Sequence, residues 1–152
     1  MVVLVLSAAV CGIGIAFCAI WGAVRAEKNL QARLFTLSLV DQFIAEEGRW
    51  PRSWAELERV SMPTDPLQPL NGQMTAIRIG GQHGYEWPAE SAEIQKRVQV
   101  DFQAEPDVIV HQDPRAFEAI KPIGPYYEYR QYGFVESLQI GLARSVRTSS
   151  HW

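Results

Sequence analysis

Catalysis in a chain of this size rests on a few side-chain types, and the 152 residues hold three histidines and two cysteines. Histidine is the commonest base and metal ligand near neutral pH. His83 sits in the turn Gly80-Gly81-Gln82-His83-Gly84, His111 closes an apolar triplet, and His151 adjoins the end of the chain, so no His-x-x-His pair occurs. No serine occupies a Gly-x-Ser-x-Gly elbow and no glycine-rich phosphate loop opens a helix. Glu46 and Glu47 stand at a helix end, and Glu56 and Glu58 on a short capped helix, where carboxylates are ordinarily solvated charges. Asp101, Glu105 and Asp107 are oxygen ligands of the type calcium takes, at a spacing that matches no calcium loop. Tyr126, Tyr127, Tyr129 and Tyr132 form the one aromatic cluster, readable as a binding face or as strand packing. These residue types imply no catalytic, cofactor or metal centre. The expectation is a non-enzymatic protein that works by contact.

Both cysteines lie in the feature that says most about such contacts, an apolar run from Met1 to Val24 without a charged side chain. As a helix at about 1.5 Å per residue it can cross a hydrocarbon core of roughly 30 Å. Residues 1–25 therefore read as a transmembrane anchor, with the lipid bilayer as the first partner. A cleaved secretory signal is a competing reading, but no basic residue precedes the run, the apolar part is long for a signal, and Val24-Arg25-Ala26 is a mediocre cleavage site. A lipoprotein signal needs a small residue before the modified cysteine, whereas Cys11 follows Val10 and Cys18 follows Phe17. Seven residues apart on one helix, the cysteines cannot pair with each other. Ser7, Cys11, Gly14, Cys18 and Gly22 recur at spacings of three and four and set small side chains along one face. Such a face is either a seam for neighbouring transmembrane helices or ordinary membrane-helix composition.

Residues 26–152 have the length of one ordinary domain. Charges of both signs are interspersed in a chain of net charge −3. No basic cluster or stripe is visible, which argues against nucleic acid as a partner. Residues 26–47 contain neither Gly nor Pro and are rich in Ala, Leu, Glu and Gln, so the membrane helix is expected to run on. At 100° per residue Leu30, Leu34, Leu37, Val40 and Ile44 fall on one side, with Phe35, Leu39 and Phe43 nearly opposite. Two apolar stripes need two partners. One is the sheet of the same domain. The other is a neighbouring copy or subunit, unless the helix is buried on both sides within its own domain.

Gly48 supplies a helix stop and Pro51 forbids continuation. Ser53 with Glu56 then makes a capping box that starts a short helix through about Val60, with Trp50 packed beneath it. This order of an apolar helix continuing past the membrane, Gly48-Arg49-Trp50-Pro51 and a short capped helix resembles the type IV pilin and type II secretion pseudopilin group, over residues 1 to about 60. The resemblance implies an antiparallel sheet downstream, a cell-envelope location and assembly with other membrane-anchored subunits or copies of the same chain. Members carry a basic leader cut after a glycine and usually a glutamate early in the apolar helix. The sequence contains neither, so the expectation is either a start upstream of Met1 or a derived relative.

Downstream, Pro63, Pro66, Pro69 and Asn71-Gly72 mark a loop leading to a hairpin, and Ala76–Ile79 a short strand. Val98, Val100 and Phe102 alternate with polar residues as a half-buried strand, and Val108–Val110 reads as a buried one. Pro122 and Pro125 confine the next segment to an edge or loop. Val135, Leu138, Leu142 and Val146 repeat at helical spacing, with Arg144 and Arg147 near the favourable end of the dipole. The expected fold is α+β: a long N-terminal transmembrane helix continuing into a pilin-like soluble domain over 26–152, packed on a small antiparallel sheet, with a C-terminal helix. Arg25, Lys28 and Arg33 follow the span, and the positive-inside rule would hold the domain in the cytoplasm. The pilin resemblance implies the opposite side. The expectation adopted is an extracytoplasmic interaction module of an envelope assembly, the alternative being a membrane-tethered cytoplasmic domain that binds a soluble protein.

Overall fold

The computed structural model describes residues 2–60, 87–126 and 132–149, with side chains over 17–60, 87–126 and 132–145. The Gly- and Pro-free stretch does continue the apolar one: α1 runs unbroken from Val2–Glu47, 46 residues and roughly 70 Å at the ordinary rise. It ends where the sequence places a stop. Gly48 adopts φ +66° and its N–H bonds to the Ile44 carbonyl at 2.8 Å, the left-handed cap that closes many helices. A Cβ built at Gly48 would meet Ser145 Cβ at 3.6 Å, ordinary contact, so the backbone conformation and not the room demands glycine here. Among the described residues no helix is long and apolar enough to cross a membrane. Of the apolar run, side chains are described from Phe17 onward.

The chain then turns through buried Trp50, whose indole N–H donates to the Asp101 carbonyl at 2.9 Å, into the one-turn helix α2 (Trp54–Leu57). α2 is shorter than the sequence suggests, the chain leaving it by a turn in which Val60 N–H reaches the Leu57 carbonyl. After the helix α3 (Ser91–Gln95) come strand β1 (Val98–Val100), helix α4 (Pro106–His111), a 3-10 turn at Pro114–Ala116, strand β2 (Ile120–Pro122) and the C-terminal helix α5 (Tyr132–Ser149). β1 and β2 pair antiparallel, Val98 opposite Pro122 and Val100 opposite Ile120. Among the described residues β2 has one hydrogen-bonded neighbour, an edge position at which Pro122 is tolerated.

Val108–Val110, expected as a strand, is helical. Pro106 at the first helical turn fixes φ where no N–H is needed, and Asp107 suits the positive end of the helix. Ile109 is buried and Val110 packs half-buried against the core, while Val108 is 59% exposed. A three-residue apolar run carries no period that separates strand from helix. The expected hairpin at Asn71-Gly72 and strand Ala76–Ile79 lie outside the described residues.

α1 is the axis on which the rest packs: α5, β2 and β1 all lie against it, and α4 leans on α5. Leu37, Leu39, Val40 and Phe43 of α1 meet Leu57, Ile94, Val98, Ile109, Ile120, Val135, Leu138 and Leu142 in one core. Leu30, Leu34, Leu37, Val40 and Ile44 are buried, and so are Phe35, Leu39 and Phe43 opposite them. Both stripes of the helix are thus covered within this one chain. The change along α1 is abrupt. Residues 17–25 are exposed on every side, whereas from Leu30 onward all but one of the residues through Asp41 are buried.

Candidate functional site

Polar side chains buried in this core decide how its clefts are shaped. Asn29, 1% exposed, donates from Nδ2 to the Ile123 and Pro125 carbonyls at 3.3 and 2.9 Å, and its Oδ1 accepts from Arg97 at 3.4 Å. It thereby hooks the turn after β2 onto α1. Gly124 stands in that turn at φ +104°, a conformation closed to other L residues without strain. One helical turn further, Arg33 lies buried and donates to the Ile120 carbonyl at 2.9 Å and the Phe117 carbonyl at 3.3 Å. Of the cations that follow the apolar run, Arg33 serves the sheet, whereas Arg25 and Lys28 stay exposed. On the opposite side Ser137 Oγ donates to Asp41 Oδ2 at 2.7 Å, and Gln139 donates to the Ile109 and Gln112 carbonyls at the end of α4. Sequence patterning does not find these residues, because they sit at apolar positions of their helices and only the fold brings their partners near.

Two clefts result. The first, about 340 Å³, lies between the β2 exit and α5 and brings Tyr126 and Tyr132 together. Arg33 stacks 5.6 Å from the Tyr126 ring centre and Arg115 5.8 Å from that of Tyr132, within the range of cation–π attraction. Tyr126 is in a loop and Tyr132 opens α5, so these two cluster members do not share a strand. Tyr127 and Tyr129 lie outside the described residues. The second cleft, about 400 Å³, opens where α1 leaves the packed core. Ile20, Trp21 and Val24 form its apolar lip, and Arg25 and Lys28 of α1 face Lys96 and Arg97 across it. Lys96 also pairs with Glu93 at 2.7 Å. Lys96 and Arg97 stand seventy residues from Arg25 and Lys28 in the chain, so no sequence window contains this cationic group.

Of the small-residue face, Cys18 and Gly22 are exposed, and among the described residues nothing beyond the neighbouring helix backbone lies within 4 Å of a Cβ built at Gly22. The side chains of Ser7, Cys11 and Gly14 lie outside the described residues. Of the acidic candidates, Glu46, Asp101 and Glu56 are engaged in structure. Glu46 accepts from Gln42 at 2.6 Å, and Asp101 accepts from the Gln103 N–H at 2.9 Å in a tight turn. Glu56 is the most perturbed: Arg49 grips both its oxygens, at 2.9 and 3.0 Å, and the Arg52 N–H adds a third bond at 2.8 Å. The Arg49 hydrogen bond, then that from Arg52, hold this carboxyl down to about 2. Ser53 caps Glu56 N–H at 3.4 Å, but Glu56 reaches back to Arg52 instead of Ser53, one residue beyond the usual capping box. His111 is exposed with Nδ1 at 2.8 Å from the Asp107 carbonyl, while His83 and His151 lie outside the described residues. Among the described residues no group of three or more His, Cys, Asp and Glu could hold a metal ion. The arrangement offers surfaces and clefts suited to contact, and no protein-family model, curated protein or solved structure matches the chain.

Proposed function

We propose that the protein is a non-enzymatic, single-span membrane protein of pilin-like build, acting as a subunit or interaction module of an extracytoplasmic envelope assembly. The observation that carries this reading is the division of α1. Its C-terminal part is buried on both sides as the spine of a folded unit, while Phe17, Ile20 and Trp21 of the same helix are 64%, 63% and 64% exposed. Exposed side chains of this size along one continuous helix need a cover, and the apolar run that leads into them is long enough for a bilayer to supply it. The small residues of that run, Cys18 and Gly22 among them, leave room for the helix of a neighbour. Chemical crosslinking in native membranes, paired with sizing in mild detergent, tests the assembly. Capture of a neighbour through α1 supports it; a strictly monomeric protein that captures none defeats it.

A membrane-tethered cytoplasmic module is the second reading. The observation that favours it is the exposed pair Arg25 and Lys28 immediately after the apolar run, the side of a span that carries the cations being ordinarily cytoplasmic. On that reading the Tyr126 and Tyr132 cleft is the natural contact for a soluble partner. The side of the membrane on which α2 lies separates the two.

A further inference from the structure

We propose that the cleft at the foot of the folded unit is a binding site for the headgroup of an anionic phospholipid, its phosphate held between Arg25 and Lys28 on α1 and Lys96 and Arg97 beyond α3. The proposal rests on the membrane-anchor reading and adds a ligand to it. Its lining joins two chemistries that rarely meet on a protein surface by chance. Trp21, Ile20 and Val24 are large apolar groups exposed at one side, and four cations, a single carboxylate, Glu93, and the side chains of Asn29 and Ile123 line the rest. A soluble anion would be served by the cations alone. A lipid presents its phosphate and its glycerol and upper acyl carbons side by side, and a tryptophan at that level is the usual residue of the membrane–water boundary.

The cations of the lining suit a phosphate. Arg97 donates from Nη1 to Asn29 Oδ1 at 3.4 Å, a contact that keeps its guanidinium at the cleft wall beside buried Asn29. A planar guanidinium presents paired donors to phosphate oxygens, and an ammonium beside it supplies a point charge. Glu93 does not neutralise the cleft. Its carboxyl is held below the usual range by Lys96 first, with Arg97 and Lys28 adding to the effect, which places these cations in one shared field. Three positive charges remain in excess over the lining. The opening of about 400 Å³ is of the size that takes a small headgroup.

The test uses the full-length protein. Flotation with vesicles of pure phosphatidylcholine reads the anchor alone, and no flotation would remove the reading on which the site depends. Native mass spectrometry of the protein extracted from an equimolar phosphatidylglycerol and phosphatidylcholine bilayer then counts the lipid retained. The wild-type chain is expected to retain phosphatidylglycerol preferentially. K96Q/R97Q and, independently, R25Q/K28Q should each lower that preference, by about five-fold for every charge removed. R52Q/R59Q, exposed cations that flank α2 and lie outside the cleft lining, should leave it unchanged. The two cleft pairs come from different elements, so a folding defect in one does not decide the matter. No preference in the wild type, or a preference that survives both cleft variants while the protein floats, overturns the site without touching the anchor. Release of the lipid by millimolar inorganic phosphate would make the cleft a free-anion site and overturn the lipid assignment.

Discussion

Asn29 and Glu56 show how single side chains hold this fold in two different ways. Asn29 is buried and satisfies two carbonyls of the turn after β2 while steadying Arg97. Asn29→Ala removes those donors and leaves the carbonyls to find water in a tight place, a loss of about 1–3 kcal/mol that urea unfolding in detergent would read. Glu56 acts through charge. Its folded carboxyl lies near 2, below its unfolded range, so its ion pair with Arg49 contributes fully above the unfolded value and fades as acid titrates the folded state. The expected result is a thermal midpoint that falls between about pH 4.5 and 2 in the wild type, with a shallower fall in Glu56→Gln. Equal slopes would mean that the pair adds nothing to stability in solution, as many exposed ion pairs do. Neither role is legible in the sequence. Asn29 reads as a polar residue on an otherwise ordinary helix, and Glu56 reads as half of a capping box, of which the Ser53 cap on its N–H forms while its carboxylate goes to Arg49 and Arg52.

Elements were legible where a local rule decides them. α1 follows from a long stretch free of helix breakers, its end from Gly48, β1 from strict alternation at Val98 and Val100, and α5 from Val135, Leu138 and Leu142 at helical spacing. The rule failed at Val108–Val110, where a proline placed before a short apolar run outweighed the β preference of valine. It was silent on what covers the second stripe of α1, since that is a question of topology. α5 provides much of the answer, packing on α1 through Leu138 and Leu142, both fully buried. Leu138→Ala is accordingly expected to cost about 2–5 kcal/mol and to loosen α4, which Gln139 ties to the same helix. Hydrogen exchange of the α4 amides would follow that loosening. Gly48→Ala should cost about 1–2 kcal/mol, because an L side chain is strained at its φ even though space exists for it.

At the scale of the whole molecule the organising feature is that one helix serves two environments. Its C-terminal part is wrapped by the chain, and its N-terminal part presents exposed apolar residues that begin at the rim of a cationic cleft. The long apolar run and the Gly-Arg-aromatic-Pro turn carry the pilin-like reading from the sequence. The cleft could not be foreseen there, because its walls come from segments seventy residues apart. The anchored, extracytoplasmic account stands most directly on which side of the membrane α2 lies. Glu58 is exposed at the C-terminal cap of α2, where its backbone N–H bonds to the Trp54 carbonyl, a bond that any residue's N–H can make, so it suits a single-cysteine probe in a background with Cys11 and Cys18 replaced by alanine. Spheroplasts carrying Glu58→Cys would be treated with a membrane-impermeant thiol reagent before and after lysis. The account predicts full labelling before lysis; labelling that appears only after lysis would contradict it and place the folded unit in the cytoplasm.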